Sequence, residues 1–159
     1  MSLTDVLLSY PALDLTVPGT PRPQGSVKPM VNKGTGRAFV KYSDTTVEHR
    51  NLLIHEMGTA WSQRSPLDCG VVVTCSFMFE RPKSHWRTGR NAHLLKDSAP
   101  REMVVAPDGD KLARLVGDAL EISGVLANDS QVVIWVSEKV WGPISKTTIR
   151  VFPLSGDSA

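Results

Sequence analysis

The most constraining stretch lies late in the chain. Leu112, Leu115, Val116, Ala119 and Ile122 recur at the three-and-four spacing of a helix with one apolar stripe, and Gly124 stops it. Asn128-Asp129-Ser130 follows, and residues 131–140 then alternate with the period of a half-buried strand. An amphipathic helix leading straight into such a strand needs a sheet to pack upon. Strand patterns over 13–17, 70–79 and 147–152 supply it, with a glycine-tipped hairpin over 31–40. A second helix is expected over 45–63. Thr45 and Glu48 have the spacing of a capping box, and Val47, Asn51, Ile54, Gly58 and Trp61 fall on one stripe, flanked by Leu53, Met57 and Ala60. The expected fold is α+β: one domain over 13–155, a mixed sheet with two principal helices packed on one face. Residues 1–12 carry no strong period and read as a variable N-terminal extension.

With 159 residues, 41% of them hydrophobic and 21% charged, the chain can bury one core and is short for two. Its most apolar run, 71–79, is strand length and is interrupted by Thr74 and Ser76, so no membrane association is expected. No Lys or Arg precedes the apolar part of residues 1–10, which does not read as a secretory signal, and a cytoplasmic location is expected. Cys69 and Cys75 form no CxxC pair, and His85 and His93 have no clustered partner, so no structural zinc site is expected. His49 and His55, on the first helix, read as surface or boundary residues.

The net charge of +2 conceals a strong segregation. Residues 15–43 carry Arg22, Lys28, Lys33, Arg37 and Lys41 and no acid, and residues 81–101 carry Arg81, Lys83, Arg87, Arg90, Lys96 and Arg101 against Asp97 alone. Residues 102–129 reverse the sign, with Glu102, Asp108, Asp110, Asp118, Glu121 and Asp129 against Lys111 and Arg114. A basic periphery around an acidic patch suits an enzyme that holds a polyanion and attacks it with bound cations. Two solvated basic loops are the plainer reading of the same counts. Lys33 and Arg37 flank the hairpin tip, where they either reach a phosphate backbone or merely decorate a turn. Trp86 stands among Lys83, His85, Arg87 and Arg90 in a long polar loop, 81–105. It either stacks on a nucleobase or tucks beneath the loop as its anchor.

Pro107-Asp108-Gly109-Asp110 precedes the second helix. In an extended lead-in, positions two apart face the same way, whereas on a helix they diverge by about 200°. Two acids facing one way, joined by Asp129 from the next strand start, make an oxygen-ligand site for a hard cation. Three bare carboxylates in one place would repel each other, so the arrangement calls for Mg²⁺ or Mn²⁺. The competing reading is that Asp108 or Asp110 simply caps the helix. An EF-hand is excluded, because counting from Asp108 the twelfth position is Ala119.

The longer string closely resembles the RusA family of Holliday-junction resolvases. It comprises Pro107-Asp108-Gly109-Asp110-Lys111-Leu112-Ala113-Arg114, Gly117-Asp118-Ala119-Leu120, Asn128-Asp129-Ser130-Gln131-Val132 and the later Lys139. Weaker similarity covers 19–25, 81–85 and 95–100. The resemblance implies that Asp108, Asp110 and Asp129 are catalytic metal-binding acids, and that Arg114 stands where the family carries an essential lysine. Lys111 replaces a common asparagine, and Asn128 replaces the first acid of a paired-aspartate turn. Arginine keeps the charge but cannot deprotonate, which makes Arg114 a phosphate clamp or transition-state stabiliser, with Lys111 as a compact companion cation. The implied protein is a homodimeric, Mg²⁺-dependent endonuclease that cuts four-way DNA junctions symmetrically, phage or prophage encoded. Its expected DNA contacts are Arg22, Lys28, Lys33, Arg37, Lys41, Lys83, Trp86, Arg87, Arg90, Lys96 and Lys139. Two alternatives stand beside it: a branched-DNA-binding protein that has lost catalysis, favoured by the changes at 114 and 128, and a metal-dependent flap or branch nuclease.

Overall fold

In the computed structural model, residues 2–25, 29–40 and 43–154 are described. A four-stranded sheet runs β1 (Leu13–Pro18), β6 (Lys146–Pro153), β4 (Val71–Glu80), β5 (Val132–Gly142). β4 and β5 are parallel, and the other pairs are antiparallel. A hairpin of β2 (Pro29–Val31) and β3 (Ala38–Val40) forms a separate two-stranded sheet. The α+β reading holds. β6 is not the hairpin partner of β5. It lies on the far side of β4, and the short 143–145 link crosses the end of β4, where Ser145 Oγ accepts from the Glu80 amide at 2.9 Å.

Helices α2 (Asp44–Ala60) and α3 (Gly109–Ile122) cover one face. Val73, Cys75, Phe77 and Phe79 of β4 share a core there with Leu53 and Met57 of α2 and with Leu112, Leu115, Val116, Ala119 and Leu120 of α3. Each fully buried Leu, Val or Phe contributes about 1.5–3 kcal/mol, so α3 is held firmly. Ser123 ends it and Gly124, at φ +78°, turns the chain out.

The local expectations for α2 are corrected. The cap of α2 is Ser43, whose hydroxyl accepts from the Thr46 amide, not Thr45 with Glu48. The buried face of that helix is Thr46, His49, Leu53 and Met57, while Asn51 is exposed. His49 is therefore interior. Burial, and then the nearby Arg22 charge, hold its imidazole below the ordinary histidine range. Residues Leu3–Leu7 form α1, closed by a reciprocal Ser2–Asp5 capping box, and its Val6 packs with Val72 and Phe152 on the opposite face of the sheet.

Loop 81–105 is well tied. Short 3-10 turns span Lys83–His85 and Gly89–Asn91, and Trp86 bridges Leu95 through the main chain. Arg87 donates to the Leu95 carbonyl and to Asp97 at 2.8 Å, and Lys96 Nζ to the Ser84 carbonyl at 2.8 Å. Arg81 reaches the Pro100 and Arg101 carbonyls.

Candidate active site

The acidic motif straddles a helix start. Asp108 is the last extended residue (φ −69°, ψ 136°), and Asp110 already lies in the first turn of α3. The expected extended lead-in thus ends two residues early, at Asp108, and the two carboxylates part. Asp108 occupies the N-cap position but makes no side-chain cap hydrogen bond. Its carboxylate instead meets Lys111 Nζ at 2.7 Å. That contact holds the Asp108 carboxyl below the ordinary aspartate range and raises the Lys111 ammonium.

Asp110 faces the other way, into an open cleft of about 500 Å³ between α3 and β5. Asp129 reaches the same cleft from the opposite wall. It begins a 3-10 turn, Asp129–Gln131, that is capped by Asn128 and tied by Gln131 Nε2 to the Leu67 and Cys69 carbonyls. Arg114 and Asp118, one and two turns along α3 from Asp110, complete the helix wall. Trp135 and Ser137 form the strand wall. The structure therefore brings together Asp110, Asp129 and Arg114, while Asp108 and Lys111 line a neighbouring cleft with Arg22 and Phe79. Among the described residues, no three His, Cys, Asp or Glu side chains are clustered closely enough to hold a metal ion. The donor set still suits a hard cation, because Mg²⁺ is commonly held by one or two carboxylates, waters and substrate phosphate. Asp110, Asp129 and the Ser137 hydroxyl offer only oxygen.

Asp118, Trp135 and Ser137 were not expected in the site. The helix period from Asp110 through Arg114 points to Asp118, but the strand residues were hidden by an irregularity. The β4–β5 register shifts between Val71 and Val72, which pair with Val132 and Ile134, so Val133 is skipped. The slip turns Trp135, Ser137, Lys139 and Trp141 toward the α3 side. Gly117 lies against the Trp135 indole, where a Cβ would stand in van der Waals contact, 3.4 Å from Cζ2. Gln24, also missed, anchors the proline-rich loop to α3: its side chain donates to Asp118 and its amide to the Lys111 carbonyl.

The expected DNA contacts divide. Lys33 and Arg37 are exposed around the β2–β3 turn, Arg22 is exposed beside His49, and Lys83 and Arg90 are exposed on the long loop. Arg87 and Lys96 bond within their own loop. Trp86 is half-buried. The ammonium of Lys139, expected to contact DNA, donates to the Val105 and Pro107 carbonyls at 2.8 Å each. Lys28 and Lys41 lie outside the described residues. No described helix is long and apolar enough to cross a membrane.

A search of curated proteins finds no match. A family model, endodeoxyribonuclease RusA, matches residues 18–152, which include both walls of the cleft, the acidic motif and the proline-rich loop. Its members are divalent-metal-dependent nucleases that hydrolyse phosphodiester bonds in branched DNA. The chain belongs to the RusA family of endodeoxyribonucleases.

Proposed function

We propose that this protein resolves four-way DNA junctions by paired, symmetric incision as a Mg²⁺-dependent homodimer. The observation that carries the reading is the convergence of Asp110, Asp129 and Arg114 on one open cleft. Asp110 and Asp129 would hold the ion, with Ser137 beside them. Bound there, a divalent metal supplies an activated water and stabilises charge on the phosphate. Arg114 would donate to the non-bridging oxygens as negative charge builds, since its guanidinium is a fixed fork that stays protonated. Lys111 would exchange Asp108 for an incoming phosphate, freeing that carboxylate to face the metal as a third acid. Lys33, Arg37, Arg22, Lys83 and Arg90 would grip the backbone without reading sequence.

Dimerisation is proposed through edge strand β5, which exposes apolar Trp135 (39% exposed) beside the cleft, Val133 (63%) at the register slip and Val136 (38%) on the opposite face. A dyad there would present two cleavage sites to a two-fold-symmetric junction. A cytoplasmic, phage or prophage recombination role belongs to the same proposal.

The test separates binding from cutting. Asp110→Asn and Asp129→Asn should each abolish junction cleavage while junction affinity stays equal or rises, because negative charge near phosphate is removed. Wild-type cleavage by either variant contradicts the assignment.

A further inference from the structure

We infer that Lys139 is a positioning residue whose ammonium fastens the chain entering Asp108 to the sheet and so fixes where the acidic motif stands. The inference rests on the cleft reading above. Lys139 lies on β5 opposite Phe77 of β4, which is 1% exposed, so its main chain is paired to a strand at the centre of the core. Its Nζ donates to the Val105 and Pro107 carbonyls, and Pro107 immediately precedes Asp108.

The segment it grips has little else to hold it. Among the described residues, no main-chain hydrogen bond joins 102–107 to the rest of the protein. Val104 and Val105 are 81% and 52% exposed. Apart from Lys139, the visible ties are buried Met103 and the Trp141 indole, which donates to the Glu102 carbonyl at 3.3 Å. Trp141 and Lys139 are two apart on β5 and face the same side, so one strand holds the segment at three carbonyls. A lysine suits this work because its three donors satisfy two carbonyls and leave one free. A neutral apolar side chain there would release both carbonyls and let the motif drift.

Lys139→Met and Lys139→Arg provide the test, read by hydrogen exchange over 102–110, by Mn²⁺ titration followed by electron paramagnetic resonance, and by the salt dependence of junction binding. The Met variant should exchange faster over 102–110 and bind Mn²⁺ about 10–100-fold more weakly, the usual cost of losing a residue that supports metal ligands. Its junction affinity should stay within about two-fold and its log–log salt slope should not change, because no phosphate contact is lost. The Arg variant, which still carries donors, should recover most of the Mn²⁺ affinity. Unchanged exchange over 102–110, or a salt slope smaller by about one with Mn²⁺ binding intact, overturns the inference in favour of a phosphate contact. Asp110→Asn serves as the control. If it keeps wild-type Mn²⁺ binding, the cleft reading fails, and the exchange data alone decide the role of Lys139. Should the Met variant melt far below wild type, Lys139→Gln, which keeps one donor pair, is read by the same three measurements.

Discussion

The α3–β5 cleft, proposed to cut, and the β2–β3 hairpin, proposed to grip, are built on opposite principles. The cleft stands on core: Leu112, Leu115 and Val116 beneath Asp110 and Arg114 are each 1% exposed. The hairpin pairs only with itself and exposes Lys33 and Arg37 around a turn closed by Asn32. A catalytic carboxylate must be held to a fraction of an ångström, whereas a phosphate grip works at range and tolerates motion. Loop 81–105 falls between the two, since it is as basic as the hairpin but spends Arg81, Arg87 and Lys96 on its own carbonyls and Asp97.

If this division is right, damage to the cleft should cost rate and damage to the hairpin should cost affinity. After the loss of cleavage expected of Asp110→Asn and Asp129→Asn, the largest effect is expected from Arg114→Ala, which should lower the single-turnover cleavage rate by about 10²–10³ with little change in junction affinity. Arg114→Lys should keep substantial activity. A full-rate Arg114→Ala enzyme would return Arg114 to an ordinary helix-surface cation between Asp110 and Asp118.

Next in size is the double change Lys33→Ala with Arg37→Ala. Junction binding titrated against salt should show a log–log slope smaller by about two, with the cleavage rate at saturating protein unchanged. A lower saturated rate would mean that the hairpin takes part in catalysis and would break the comparison. Arg87→Ala should do less. The slope should fall by under about one unit, since Arg87 is already paired with Asp97, and limited proteolysis should cut within 81–105 more readily.

The smallest effect concerns pH. Because His49 is held below its ordinary range when folded, the unfolded chain takes up the proton first as pH falls, so stability is full above about pH 6.5 and declines below it. Thermal melts should fall by about 1–4 °C more between pH 7.5 and 5.5 in wild type than in His49→Gln. Equal falls would show that His49 titrates freely.

Much of this architecture is legible in the chain, and the exceptions have physical causes. The second helix, its Gly124 stop and the order of strands follow from period and punctuation. On α2 the sequence places buried Leu53 and Met57 at the flank of the stripe and not at its centre, because Thr46 and His49, which share their face, are polar yet only 7% exposed each. The acidic motif and Asp129 stand out by spacing, but not that Asp108 and Asp110 part at the helix start, a distinction of two residues in backbone conformation. Trp135, Ser137 and the inward turn of Lys139 depend on the slip at Val133, which no alternation pattern announces. The tied state of loop 81–105 rests on side chains bonding to distant carbonyls, and composition alone presents those same residues as free charge.

The central claim is that the cleft cuts branched DNA with a divalent metal while the basic surfaces only hold it. The most direct measurement incubates the protein with a synthetic mobile four-way junction, with Mg²⁺ and with chelator, beside linear duplex and flap controls. The account predicts paired, symmetric nicks in the junction, only when the metal is present, with linear duplex left intact. Tight junction binding without cleavage of any substrate in Mg²⁺ or Mn²⁺, or cleavage undiminished by chelator, would contradict it.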